Sequence, residues 1–226
     1  MAETNHTWTG YEPVPLDNDA LFFNWTVSTP GELANIKDME TFFQDAYLGT
    51  LSEFTFIEPS CCDVGTTSMH PSGLIADGEV LLKQIYDAVR GGPQWENMLF
   101  IITFDETGGF HDHKDPPRAT PPDDLTFTSS TPDGGNYTFG FDRLGGRVPT
   151  WLISPWVDGG YVEQLGTNAQ GQPIAYTATS ILRTLGYLWD FEPFNPRIAE
   201  SPSFDHLIGT NMRKNTPETM PVPIKF

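Results

Sequence analysis

The run from Met98 to His113, MLFIITFDETGGFHDH, constrains the fold of this chain more than any other stretch. Met98 to Phe104 is continuously apolar apart from one threonine, as expected of a strand buried on both faces of a sheet. A run this short also suits a piece of buried helix; its β-branched residues and the Gly108-Gly109 break favour the strand. Two adjacent carboxylates follow, Asp105 and Glu106, then the two glycines, then His111, Asp112 and His113. Ligands of open α/β sheets bind just beyond the carboxyl ends of the strands. An acidic pair there, with a glycine loop able to fold its histidines back, has the makings of a metal or phosphate site. A solvated acidic loop is an equal reading of Asp105-Glu106 taken alone.

Charge and size narrow the classes. Twelve basic and thirty acidic residues give a net charge of -18, which repels nucleic-acid phosphates and anionic membranes. A hydrophobic content of 38% excludes a disordered chain. The 226 residues suffice for one core, since single domains run to about 250 residues. With no repeat and no linker, residues 1–226 read as a single domain. No apolar run approaches the roughly 20 residues of a membrane helix, and Met1–Gly10 lacks the basic start and apolar core of a signal peptide. Asn5, Asn24 and Asn136 each open an N-x-[ST] triplet, the acceptor pattern of secreted glycoproteins. Cys61 and Cys62 are neighbours, so a bond between them would close an eight-membered ring; partners outside the chain and two reduced thiols fit equally well.

In chain order, residues 1–34 are aromatic without a period and read as an irregular strap. Asn35–Leu48 is a helix, with Ile36, Met39, Phe42, Phe43 and Ala46 at helical spacing and Gly49 as its stop. A strand over Phe54–Glu58 and a helix over Leu74–Val89 precede the Met98–Phe104 strand. Together they predict a right-handed parallel strand–helix–strand unit. The alternation around Pro132-Asp133-Gly134-Gly135 predicts a hairpin over 125–141. Arg147–Ser154 reads as a buried strand and Thr177–Leu188 as the last clear helix. Beyond Glu192 the chain reads as coil with a short turn at Phe204–Ile208.

FDETGGFHDH, preceded by Met69-His70-Pro71 and the helix start Gly78-Glu79, resembles the phosphoesterase family of phospholipases C and acid phosphatases. RVPTWLISPW at Arg147–Trp156 and TSILRTLGYLW at Thr179–Trp189 are similar to its fungal secreted branch. The resemblance covers roughly residues 35–210. It implies an α/β fold: a mostly parallel sheet flanked by helices, as in the α/β/α sandwich of alkaline phosphatase. It also implies secretion and hydrolysis of phosphate esters or phospholipids with a divalent metal ion of unspecified identity. By the resemblance, Asp105 and Glu106 are metal ligands, and His70 and His113 are catalytic groups near the phosphate and the leaving alkoxide. Read without it, His70 before a proline shapes its loop and His113 pairs with Asp112 or Asp115. His111 stands where the family accepts aromatics, which implies packing, and His6 and His206 read as structural or surface residues.

The chain departs from the family pattern in three places. Glu96-Asn97 lies outside the context of the family's amino-terminal Glu-Asn metal motif. No Ser or Thr stands in a recognisable nucleophile setting, and Ala178 replaces a histidine common before the last helix. The resemblance therefore implies the carboxyl-terminal half of such an enzyme, with a fold incomplete at its amino-terminal side and little activity alone. The competing expectation is an inactive secreted glycoprotein keeping the fold for binding or structure. A calcium-binding surface protein would need an EF-hand or repeat spacing, which is missing.

Overall fold

Tyr11, with none of its surface exposed, marks the centre of the first of two compact units in the computed structural model, which describes residues 5–13 and 18–224. It sits on β1 (Trp8–Glu12), the middle strand of a three-stranded parallel sheet. After the short helix α1 (Asn24–Ser28) come β2 (Ile36–Asp38), α2 (Met39–Leu48), β3 (Phe54–Ile57) and α3 (Ile75–Gly91). The sheet order is β2-β1-β3, with Gly10 opposite Ile36 on one side and Phe56 on the other.

The irregular strap expected over 1–34 is thus corrected: part of it forms the central strand. Every residue of β1 after Trp8 is buried, so the sequence shows no polar–apolar alternation to betray it. Gly10 is closely packed there: a Cβ would lie 3.0 Å from the Asn18 side-chain amide and 3.2 Å from Ile36 Cδ1.

The helix α2 begins where Asp38 accepts a hydrogen bond from the Thr41 amide at 2.7 Å, as an N-cap carboxylate does. It ends at Gly49, whose φ of 73° is the left-handed conformation of a helix C-terminus. Phe42, also without exposed surface, meets Tyr11 edge-to-face at 5.3 Å between ring centres. The expected helix over 74–89 is α3, which buries Ile85, Tyr86 and Val89; Leu81 and Leu82 are only half-buried. The end of the chain returns to this unit: the Tyr86 hydroxyl donates to the Pro217 carbonyl at 2.6 Å, and the Met220 amide to Asp87 at 3.1 Å.

The second unit, residues 100–213, contains β4 (Phe100–Ile102), β5 (Phe127–Ser130), β6 (Asn136–Phe139), β7 (Trp151–Ile153), β8 (Leu165–Thr167), β9 (Pro173–Ala175), α4 (Thr179–Trp189) and α5 (Pro196–Glu200). The strand expected over 98–104 is shorter, and of its residues only Ile102 is buried. Its partner also differs. β3 pairs in parallel with β1 while β4 pairs antiparallel with β7, so the predicted parallel strand–helix–strand unit does not form. The chain is mixed α/β: one parallel three-stranded sheet and three antiparallel pairs among the described residues, in place of a mostly parallel sheet. The 125–141 hairpin is present as β5 and β6, with Phe127 opposite Phe139. The β8–β9 hairpin and α5 lie where no element was expected. α5 is capped by Asn195, which accepts from the Ile198 amide at 2.9 Å, and Thr184 of α4 accepts from the Phe204 amide at 3.0 Å. No helix among the described residues is long and apolar enough to cross a membrane.

Candidate functional site

In the second unit the β4–β7 ladder aligns Phe100 with Ile153 and Ile102 with Trp151. A hydrogen bond between the hydroxyls of Thr103 and Thr150, at 2.8 Å, carries the pairing one step past the strands. Phe104 then stacks edge-on against Trp151, 6.2 Å between ring centres. Immediately beyond, both members of the acidic pair are exposed, and Asp105 accepts a hydrogen bond from the Glu106 amide at 2.9 Å. The chain turns at Gly108 and Gly109, whose φ values of 63° and 79° strongly favour glycine. The Phe110 amide donates to the Thr107 carbonyl at 3.0 Å and closes the turn.

Past the turn, Asp112 accepts two hydrogen bonds from the Arg147 guanidinium, both at 2.7 Å, and one from the Lys114 amide at 3.0 Å. Those Arg147 bonds, with the Lys114 amide adding to them, hold the Asp112 carboxyl well below the usual carboxylate range. His113 stands beside it with 86% of its side chain exposed; its Nδ1 lies 3.7 Å from Asp112, an ion-pair distance when the ring is protonated. Of the two neighbours considered for His113, Asp112 is the one in place. His111 is exposed, which corrects the expectation that it packs.

His70 belongs to the first unit, on the loop between β3 and α3. Its ring nitrogen Nδ1 donates to the Pro71 carbonyl at 2.9 Å, and its own carbonyl accepts from the Gly73 amide at 2.8 Å. His70 therefore does shape its loop, as the sequence alone suggested, while Nε2 takes no part in that bond. The Gly78 of the helix-start motif has a packing role: a Cβ there would lie 2.5 Å from Met69 Cγ and 2.8 Å from the Thr67 carbonyl. The absence of a side chain at Gly78 is what lets the His70 loop close over the first turns of α3.

Upstream in the same loop, Cys61 and Cys62 are bonded to one another, which settles their pairing within the chain. Ser60 spans the loop, its carbonyl accepting from the Thr67 and Ser68 amides, each at 3.0 Å. The remaining histidines hydrogen-bond to carboxylates, His6 to Glu53 at 3.0 Å and His206 to Glu163 at 3.1 Å. Asn5, Asn24 and Asn136 are all exposed.

A divalent cation of the hard class takes six or more oxygen ligands, or several waters in their place. Asp105 and Glu106 supply suitable oxygens, but no three His, Cys, Asp or Glu side chains among the described residues converge as a metal-holding group. These residues do not complete a metal site. Arg147, which holds Asp112, is not among the residues singled out in the sequence. Its only sequence signal is that it opens the RVPTWLISPW motif, 35 positions from the carboxylate it holds.

Comparison with known proteins bears on what such a loop does. The model of the phosphoesterase family matches residues 18–192. The chain is 35% identical over 190 residues to non-specific phospholipase C4 of Arabidopsis thaliana, covering 82% of this chain and 34% of that protein. Against non-specific phospholipase C5 of the same plant it is again 35% identical, with 82% and 36% covered. A non-hemolytic phospholipase C of Burkholderia pseudomallei is 31% identical over 168 residues, with 65% and 23% covered. The chain thus spans about a third of the length of the plant relatives, and it belongs to the phosphoesterase family.

Proposed function

We propose that this chain serves the hydrolysis of phosphate esters, with phospholipids as the favoured substrate class. One observation carries the reading. The loop holding Asp105, Glu106 and His113 is exposed and pinned at the end of β4, in a chain alike over four-fifths of its length to proteins named phospholipase C. The family match runs through residues of both compact units, which supports taking them as parts of one α/β/α domain of the alkaline-phosphatase type. The parallel β2-β1-β3 sheet supports it as well.

In this reading the carboxylates of Asp105 and Glu106 are two of the ligands to a divalent ion, the rest coming from outside the described residues. That ion, when bound, supplies positive charge for the phosphate oxygens. His113 presents an exposed imidazole beside Asp112, placed to exchange a proton with the ester or its leaving group. His70 is proposed as a further catalytic group on the resemblance alone, with Nδ1 committed to the Pro71 carbonyl. The exposed glycosylation triplets and the vicinal disulfide support secretion, where disulfides persist.

The test is turnover of a chromogenic phosphate ester and of phosphatidylcholine, with and without added divalent ion. Asp105→Ala and His113→Ala are each expected to remove most of the rate, since groups in one site act as a unit. Metal-dependent turnover unchanged by Asp105→Ala would overturn the reading.

A further inference from the structure

We propose that Arg147 and Asp112 form a positioning pair that holds the backbone on both sides of His113 and fixes the 105–113 loop for the phosphate-ester chemistry proposed above. The inference rests on that reading for its purpose, but its geometry stands by itself.

Both oxygens of Asp112 are committed. Oδ2 accepts from Arg147 Nε at 2.7 Å, and Oδ1 accepts from Arg147 Nη2 at 2.7 Å and from the Lys114 amide at 3.0 Å. Three of the roughly four acceptor sites of this carboxylate are thus taken within the loop and by Arg147. Its work is to tie residue 112 to the Arg147 strand approach and, through the Lys114 amide, to tie residue 114 to residue 112. His113 lies between the two tethered positions. Its ring is exposed while the main chain that carries it is gripped.

A second, independent contact lies at the other end of the loop. A Cβ on Gly146 would sit 2.7 Å from Thr107 Cγ2, so the backbone just before Arg147 runs against the residue that follows Glu106. The segment 146–147 therefore braces the loop twice: beside the acidic pair through Gly146 and Thr107, and beside His113 through Arg147 and Asp112. It starts from a fixed base, because Thr150 and Trp151 are already engaged with Thr103 and Ile102. This explains physically why an arginine opens the strand motif at 147. Its planar fork satisfies both carboxylate oxygens at once, which the single ammonium of lysine does not.

The experiment uses the full chain with Arg147→Lys, Arg147→Gln, Asp112→Asn and the Asp112→Asn/Arg147→Gln pair. Arg118→Gln, which breaks the exposed Arg118–Asp142 ion pair of the same unit, controls for charge. The first readout is amide hydrogen exchange over 105–114, with the amides of α4 reporting on general loosening. The expected result is exchange several-fold faster across 105–114 in each pair variant, α4 unchanged, and the double variant no worse than the worse single one. Arg118→Gln leaves 105–114 unchanged.

The second readout is ester turnover: the pair variants lower kcat more than they raise KM, and Arg147→Lys recovers less than a conservative change would suggest. Unchanged 105–114 exchange in both Arg147→Gln and Asp112→Asn would overturn the proposal, as would additive effects in the double variant. Faster exchange with kcat and KM both unmoved would overturn the positioning role. If Asp105→Ala left turnover intact while the exchange results held, the functional reading would fail and the brace would survive it.

Discussion

Replacing Tyr11 with Phe removes one oxygen from the centre of the parallel sheet and leaves the ring packing against Phe42 in place. The hydroxyl donates to Asp45 at 2.7 Å, and Asp45 also accepts from Lys37 at 3.0 Å and Thr50 at 2.7 Å. Hydrogen bonds to charged groups contribute roughly 1.5–3 kcal/mol, so Tyr11→Phe is expected to cost about 2 kcal/mol at neutral pH. With a urea m-value of about 2 kcal/mol/M, that is a fall in midpoint of about 1 M at unchanged slope. The effect has a pH signature at both ends. Burial pushes the Asp45 carboxyl up, but the bonds from Tyr11, Thr50 and Lys37 outweigh it and leave it below its ordinary value. A lowered acid stabilises the fold above its unfolded pKa, about 3.9, and that contribution is lost as pH falls through the lower folded value. Burial first, and then the Asp45 carboxylate, push the Tyr11 hydroxyl well above its ordinary value. A raised tyrosine stabilises the fold below its unfolded pKa of about 10, and this is lost as pH rises through the higher folded value. The gap between native chain and variant is therefore widest from about pH 5 to pH 9 and closes on either side. Urea titrations followed by tryptophan fluorescence at pH 3, 7 and 10.5 measure it. A midpoint within about 0.2 M of the native chain at pH 7, or a gap as wide at pH 3 as at pH 7, would refute the reasoning.

Gly49→Ala should destabilise by more than about 1 kcal/mol in thermal unfolding, because the position has a φ of 73° and a Cβ there would lie 2.6 Å from Pro93 Cγ. Thr184→Val keeps the volume but strands the Phe204 amide at a site 1% exposed; about 1–3 kcal/mol is expected, with Thr184→Ser recovering most of it in the same melts. Calcium or manganese titrated into the chain by calorimetry should bind no more tightly than about the millimolar range, as two carboxylates leave coordination to water. Tight stoichiometric binding that survives Asp105→Ala would show that the ligands lie elsewhere.

The longer helices were legible from their apolar stripes, but not all their ends: α2 starts at Met39 rather than Asn35, Ile36–Asp38 being strand, and the short α5 with its Asn195 cap went unread. Gly49 marks the end of α2, and the apolar spacing of 81–89 marks the stripe of α3, because a stop or a stripe needs only residues within a few positions. The strands were harder. β1 is a short buried segment with a glycine packed against Asn18 and Ile36, so it offers neither alternation nor β-branched enrichment. The three residues of β4 could be recognised as strand, but their partner could not. β4 pairs with β7, and the short apolar runs of β3, β4 and β7 look alike in sequence.

The candidate loop separates in the same way into what is local and what is not. The acidic pair, the double glycine and the histidines are written consecutively, so their adjacency follows from the chain itself. What they lean on is not written beside them. Asp112 seemed a surface companion for His113, yet both its oxygens are taken by an arginine 35 positions away. Thr107 carries no motif signal of its own, yet the backbone of Gly146 runs against it. The same holds in the first unit, where Gly78 matters through Met69 and Thr67, which are far enough away that no helical period joins them. In each case a residue that looks dispensable in sequence removes bulk or supplies a fork at the one place where two distant segments cross. Substitutions at Gly146 and Gly78 should therefore disturb the loops of Thr107 and His70 before they disturb the helices and strands those glycines adjoin.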